Sequence, residues 1–179
     1  MYKIKKLINF CFYLYFAIFI SVSLYADEIK KFEIIGNDRI SEKTIINFSG
    51  KEIKEKVDNE DLNTILKNLY QTDFFSDVSI NFDNGILKIN VQENPIVQSL
   101  QINGIKKKSI KEFILDNLKL REKNSFVKNT LKRDEETVIN ILRSNGYFFA
   151  TVDINKIEND NNTIDLIYNI DLAEKAFIK

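Results

Sequence analysis

Two acidic clusters are the first places where this sequence could do chemistry. Asp58, Glu60 and Asp61 form one, and Asp134, Glu135 and Glu136 the other. Two carboxylates held at a fixed separation can divide acid and base duties in a hydrolysis. Both clusters, however, fall at or near a helix start or on a polar helix face, where the helix dipole and solvent favour carboxylates. A solvated helix face is therefore the expectation for each. No histidine occurs in the 179 residues, which removes the commonest general base and metal ligand and every Ser-His or Cys-His nucleophile. The single cysteine, Cys11, lies in the N-terminal apolar run, so the rest of the chain can form no disulfide, thiolate zinc site or redox pair. Glu158-Asn159-Asp160-Asn161-Asn162 offers alternate oxygens, but Thr163 stands where a calcium loop needs glycine and Asn169 where it needs a closing glutamate. A polar hairpin turn is expected there. No catalytic residue, metal or cofactor is expected in this chain.

Charge narrows the binding roles. Lys and Arg number 26 and Asp and Glu number 26, so no global field draws nucleic acid, and no nucleic-acid partner is expected. Lys106-Lys107-Lys108 with Lys111 is a local basic patch at the tip of the second half. A solvated turn is its default reading, and contact with anionic lipid or a partner is the competing one.

What remains is the chemistry of the backbone, and it depends on the elements. Val78, Ile80 and Phe82 alternate with Ser79 and Asn81, then Leu87, Ile89 and Val91 alternate with Lys88 and Asn90. That period of two predicts half-buried strands, joined at Asp83-Asn84-Gly85 by a tight primed turn and stopped by Pro95. Ser144 to Asp171 repeats the plan. An offset of 68 aligns Phe32 with Leu100, Ile34 with Ile102, Gly36 with Gly104, Ser41 with Ser109 and Ile45 with Phe113. Each half thus reads strand, turn glycine, short helix, second helix, hairpin. Ser41 and Ser109 are the expected caps of the first helices, Ser109 within a capping box closed by Glu112. Phe113, Ile114 and Leu118 are the expected apolar positions of the helix after Ser109. The second helices carry Leu62, Ile65, Leu66 and Leu69, and Leu131, Val138, Ile141 and Leu142, the latter ending at Gly146. Phe74, Phe75, Phe148 and Phe149 are expected in the core at the helix-to-strand corners.

The pattern predicts an α+β protein of two tandem domains, residues 27–94 and 95–174. Each is β-α-α-β-β, with a three-stranded mixed sheet covered by two helices. The Glu93-Asn94-Pro95 junction is too short to let them move freely. Residues 1–26 have a lysine-rich start, an uncharged apolar run from Leu7 to Tyr25 and Ala26 at the expected cut, the layout of a secretory signal peptide. The alternative is an uncleaved anchor, with about 19 apolar residues near the ~20 that span a bilayer. In a three-stranded sheet an outer strand presents unpaired N–H and C=O groups that can pair with another extended chain. The candidate edge segments are Val78, Ser79, Ile80, Asn81 and Phe82, and Val152, Asp153, Ile154, Asn155 and Lys156. The competing reading is that these strands only complete the fold, blunted by Asn81, Asp83 and Lys156.

IKKFEIIGNDRISEKTI, LNTILKNLYQTDFFSDVSINF, LKINVQENPIVQSLQINGIKKK and RSNGYFFATV together resemble the POTRA (polypeptide-transport-associated) repeat, and more closely the N-terminal repeats of the BamA family of outer-membrane β-barrel assembly factors. The resemblance covers residues 28–179. It implies a periplasmic docking module of an outer-membrane-embedded protein. Its implied partners are nascent outer-membrane β-barrel proteins and assembly-machinery lipoproteins, taken up by β-augmentation. The alternative it leaves is a membrane-anchored periplasmic POTRA scaffold of division or secretion type. Members of that family continue through further repeats into a transmembrane barrel, so residues 175–179 read as the opening of a missing third repeat.

Overall fold

A computed structural model describes residues 27–174; the expected signal peptide and the expected start of a third repeat lie outside the described residues. The first unit contains β1 (Asp27–Glu28), β2 (Lys31–Ile35), α1 (Glu42–Ser49), β3 (Lys56–Val57), α2 (Asn59–Tyr70), β4 (Phe75–Asp83) and β5 (Ile86–Glu93). The second contains β6 (Ile96–Asn103), α3 (Lys108–Asn117), α4 (Lys128–Ser144), β7 (Thr151–Asn159) and β8 (Thr163–Asp171). The sheets have the orders β2-β5-β4 and β6-β8-β7. In each, the last strand is central, parallel to the first and antiparallel to its hairpin partner. The fold is therefore α+β with two mixed three-stranded sheets. The first unit adds a small antiparallel pair, β1 with β3, that the periodicity did not reveal.

Each unit has its own core. Ile45, Ile65, Leu69, Leu87 and Ile89 anchor one; Val97, Ile114, Leu142, Leu166 and Tyr168 anchor the other. The strand positions alternate as the sequence predicts, with Ile164, Leu166, Tyr168 and Ile170 of β8 all buried. Ser41 caps α1, its side chain accepting from Thr44 N. Asp58 caps α2, its Oδ1 accepting from Glu60 N and Asp61 N at 2.9 Å each, while Asp61 Oδ2 accepts from Asp58 N at 3.1 Å. The first acidic cluster is thus a helix start.

Three expectations about the helices are corrected in the second unit. Ser109 does not cap α3. The helix starts at Lys108 after Lys107, which makes no side-chain cap bond, and Glu112 pairs with Lys108 at 3.6 Å. Burying Ile110 and Ile114 on one face sets the helix phase and places Ser109 inside the first turn. Phe113, aligned with Ile45 by the 68-residue offset, is 54% exposed, and Ile114 beside it is the buried residue.

Asp134 is not on a polar face: it is 0% exposed, and its Oδ1 and Oδ2 accept from Lys119 N and Leu120 N at 2.8 Å each. It ties the α3–α4 connection to the middle of α4. Tyr168 packs into the same core, and burial, then the charges of Asp134 and Glu135, push its phenol far above its ordinary range. Alanine at Asp134 strands two amides and is expected to lower the stability of the second unit by ~3 kcal/mol. Asparagine, which keeps one acceptor, is expected to cost less. Urea midpoints of the two variants check this.

Candidate functional site

The hairpin geometry decides which backbone groups are free. Asn84 and Gly85, at φ 52 and 81, form a two-residue primed turn closed by the Asp83–Ile86 pair. Counting back from that hydrogen-bonded pair along an antiparallel ladder, Val78, Ile80 and Phe82 direct their N–H and C=O groups away from β5, to the open side of β4. One of these groups is already used. Val78 N donates to Tyr70 Oη at 3.1 Å, and the same hydroxyl donates to Asp77 Oδ1 at 3.3 Å. The last residue of α2 therefore covers the start of this edge.

In β7 the loop between Asn159 and Thr163 sets the same alternation, so Val152, Ile154 and Lys156 face outward. Among the described residues no side chain bonds these three amides. The Glu158-to-Asn162 segment forms the β7 end and the turn, with Asn162 at φ 52. Val152 and Ile154 rest their side chains on the core, while Asp153, Asn155 and Lys156 are exposed. On β4, Val78 is buried, Ile80 and Phe82 are half-buried, and Ser79 and Asn81 are exposed, Ser79 Oγ accepting from Asn90 Nδ2 at 3.1 Å. Lys156 Nζ lies 2.6 Å from Glu158 Oε1 and 5.6 Å from the Phe126 ring centre.

The aromatic corners differ from expectation. Phe75 is in the core at 3% exposure, but Phe148 and Phe149 are 53% and 70% exposed, and Phe74 is also on the surface. In the second unit it is Tyr147 that packs against the core, leaving the two phenylalanines just ahead of β7. A doubled aromatic before a strand reads as core from sequence because apolar area favours burial; nothing local marks these two as surface residues.

The residues between the units form a clasp. Glu93 is buried, and its Oε1 accepts from Asp38 N, Arg39 N and Ile40 N at 2.9, 3.0 and 2.9 Å. Arg39 Nε is 3.0 Å from Glu93 Oε2, and Arg39 Nη2 donates to Asn94 O at 2.7 Å. Burial raises the Glu93 pKa, but the Ile40 and Asp38 amides and the Arg39 charge outweigh it and hold the carboxyl below its ordinary range. Asn94 donates from its backbone to Phe74 O and from its side chain to Asp73 O, both at 2.8 Å. Pro95 O, by contrast, accepts from Phe126 N at 2.7 Å in the second unit.

Gly36 and Gly104, both at φ 86, close each first strand, and an added Cβ would sit 2.1 Å from Val91 O or 1.7 Å from Ile170 O. Gly85 follows the same logic in the hairpin, where a Cβ would meet the Lys30 side chain at 2.6 Å. Gly146, at φ 89, follows the Asn145 cap of α4.

A repeated β-α-α-β-β unit with a mixed sheet, a glycine against the central strand and an open hairpin edge is, as a fold, a tandem of two POTRA-like units. The profile of the POTRA family, described as surface antigen variable number repeat, matches residues 95–172. In sequence the chain is 35% identical over 89 residues to the outer membrane protein assembly factor BamA of Neorickettsia risticii (strain Illinois). That match covers 50% of this chain and 12% of the relative. In fold it is similar to the N-terminal domain of Omp85 from Thermosynechococcus elongatus, with a TM-score of 0.52 and 16% identity over 79% of this chain and 62% of that one. The chain spans less than two thirds of either.

Proposed function

We propose that this chain is a periplasmic, non-enzymatic docking module of outer-membrane protein assembly. In this reading it takes up extended segments of barrel proteins or of accessory lipoproteins by adding them as a fourth strand. The observation that carries the reading is the open edge of β7, with outward N–H groups at Val152, Ile154 and Lys156 and exposed Phe148 and Phe149 at its entrance. The sequence similarity to BamA supports the setting. A strand-length addition gains a few backbone hydrogen bonds at ~0.5–1.5 kcal/mol each, less the ordering of the incoming peptide, which leaves micromolar to millimolar affinity. Such weak, sequence-tolerant contact suits transient handling of unfolded chains. Because Tyr70 already occupies Val78 N, β7 is the stronger of the two edges.

The test is an amide NMR titration with a peptide taken from a barrel strand. Shifts are expected along residues 152–156, with smaller ones along residues 78–82. Lys156→Pro removes one outward donor at an exposed position, giving up only the contacts of Lys156 with Glu158 and the Phe126 ring, and is expected to weaken binding at least ~5-fold while the rest of the spectrum stays folded. Ile154→Pro is expected to act in the same direction. A silent spectrum at millimolar peptide, or undiminished binding by a folded Lys156→Pro variant, overturns the reading.

A further inference from the structure

The space between the two units holds unbalanced charge. A cleft of about 1030 Å³ is bounded by Arg39, Asp73 and Phe74 on the first unit and by Lys119, Lys123 and Arg133 on the second. Arg39 is committed to Glu93 and to the Asn94 carbonyl, and Asp134, which also lines the cleft, is committed to two backbone amides. The side chains of Lys119, Lys123 and Arg133 have no ion-pair or hydrogen-bond partner among the described residues. In a chain whose formal net charge is zero, three unpaired cations thus share one concavity with a single uncommitted acid, Asp73. The loop that presents two of them is fixed at both ends, by Asp134 at Lys119 N and by Val97 O, which accepts from Lys123 N at 2.8 Å. Opposite stands Phe74, 38% exposed and stacked at a tilt 5.7 Å from Phe48.

We propose that this cleft docks an acidic peptide segment of a partner protein, its carboxylates meeting Lys119, Lys123 and Arg133 and an apolar side chain covering Phe74. Charge complementarity supplies the sign of the partner. The aromatic wall and the size of the cleft favour a peptide over a lone phosphate or headgroup, which would leave the ring uncovered. No residue of β4 or β7 lines the cleft, so an acidic segment here and an added strand at β7 can be held together.

The experiment is a fluorescence-anisotropy titration of the full chain with a labelled peptide rich in glutamate and phenylalanine, beside a counterpart in which glutamine replaces every glutamate. The acidic peptide is expected to bind at least ~10-fold more tightly than its counterpart, with affinity falling as salt is raised. The paired reversal Lys119→Glu with Lys123→Glu is expected to erase that preference. The same reversal at Lys106 and Lys107, outside the cleft, and the Lys156→Pro change on β7, are expected to leave it. Equal binding of the two peptides, equal loss from the Lys106/Lys107 reversal, or binding of anionic vesicles without binding of the peptide overturns the proposal.

Discussion

Alanine at Glu93 is expected to destabilise the first unit by ~3–5 kcal/mol, because it leaves three loop amides without their buried acceptor and takes the carboxylate from Arg39, which keeps only the Asn94 carbonyl. Glutamine, which keeps an acceptor oxygen but not the charge, should lose less. The two variants also differ from the parent in acid. The folded Glu93 pKa lies below its ordinary value, so the stability it contributes is present in full above about pH 4.5 and is lost as pH falls through the folded pKa. The stability gap between the parent and Glu93→Gln should therefore narrow steadily below that pH. Chemical denaturation of both at neutral and acid pH measures the gap; a constant gap would show that the carboxylate is not the group that matters.

Gly104→Ala should cost at least ~4 kcal/mol, a loss reserved for changes that force backbone to move. The residue combines φ 86 with a Cβ position 1.7 Å from Ile170 O, and that carbonyl belongs to the central strand of its sheet. Neither rotation of a side chain nor a small shift relieves such an overlap. Gly50, which shares a positive φ of 70 but whose Cβ would meet only the Asn68 side chain at 3.5 Å, should lose no more than ~1–3 kcal/mol on the same change. Thermal melts of the two variants separate conformational strain from collision.

That contrast also shows what could be read from residues alone. Gly36 and Gly104 stood out because they recur at one offset, and a turn was the natural inference; that the glycine is needed for contact with β5 or β8 depends on strands that pair across the whole unit. The hairpins were legible because both the period of two and Asp83-Asn84-Gly85 act locally. Ser109 failed for the opposite reason: a good local cap lost to the packing of Ile110 and Ile114. Asp134 was hidden because the amides that justify its burial come from a loop 14 and 15 residues away. Glu93-Asn94-Pro95 was visible as a motif, but its partners at residues 38–40 and 73–74 were not. That β4 and β7 are outer strands follows from the hairpin order, while the Tyr70 cover on one and the bare aromatics beside the other depend on packing across the unit.

The path of the chain through the junction has a mechanical side. β5 lies in the middle of its sheet, held by β2 on one flank and β4 on the other, and it runs into β6 with only Asn94 and Pro95 between. A pull on the second unit therefore reaches the first along the axis of its best-held strand. The ladder bonds on both flanks lie across that axis and take the tension together in shear, instead of peeling open one after another. A load applied at β6 is thus met by two ladders in shear, one on each flank of β5.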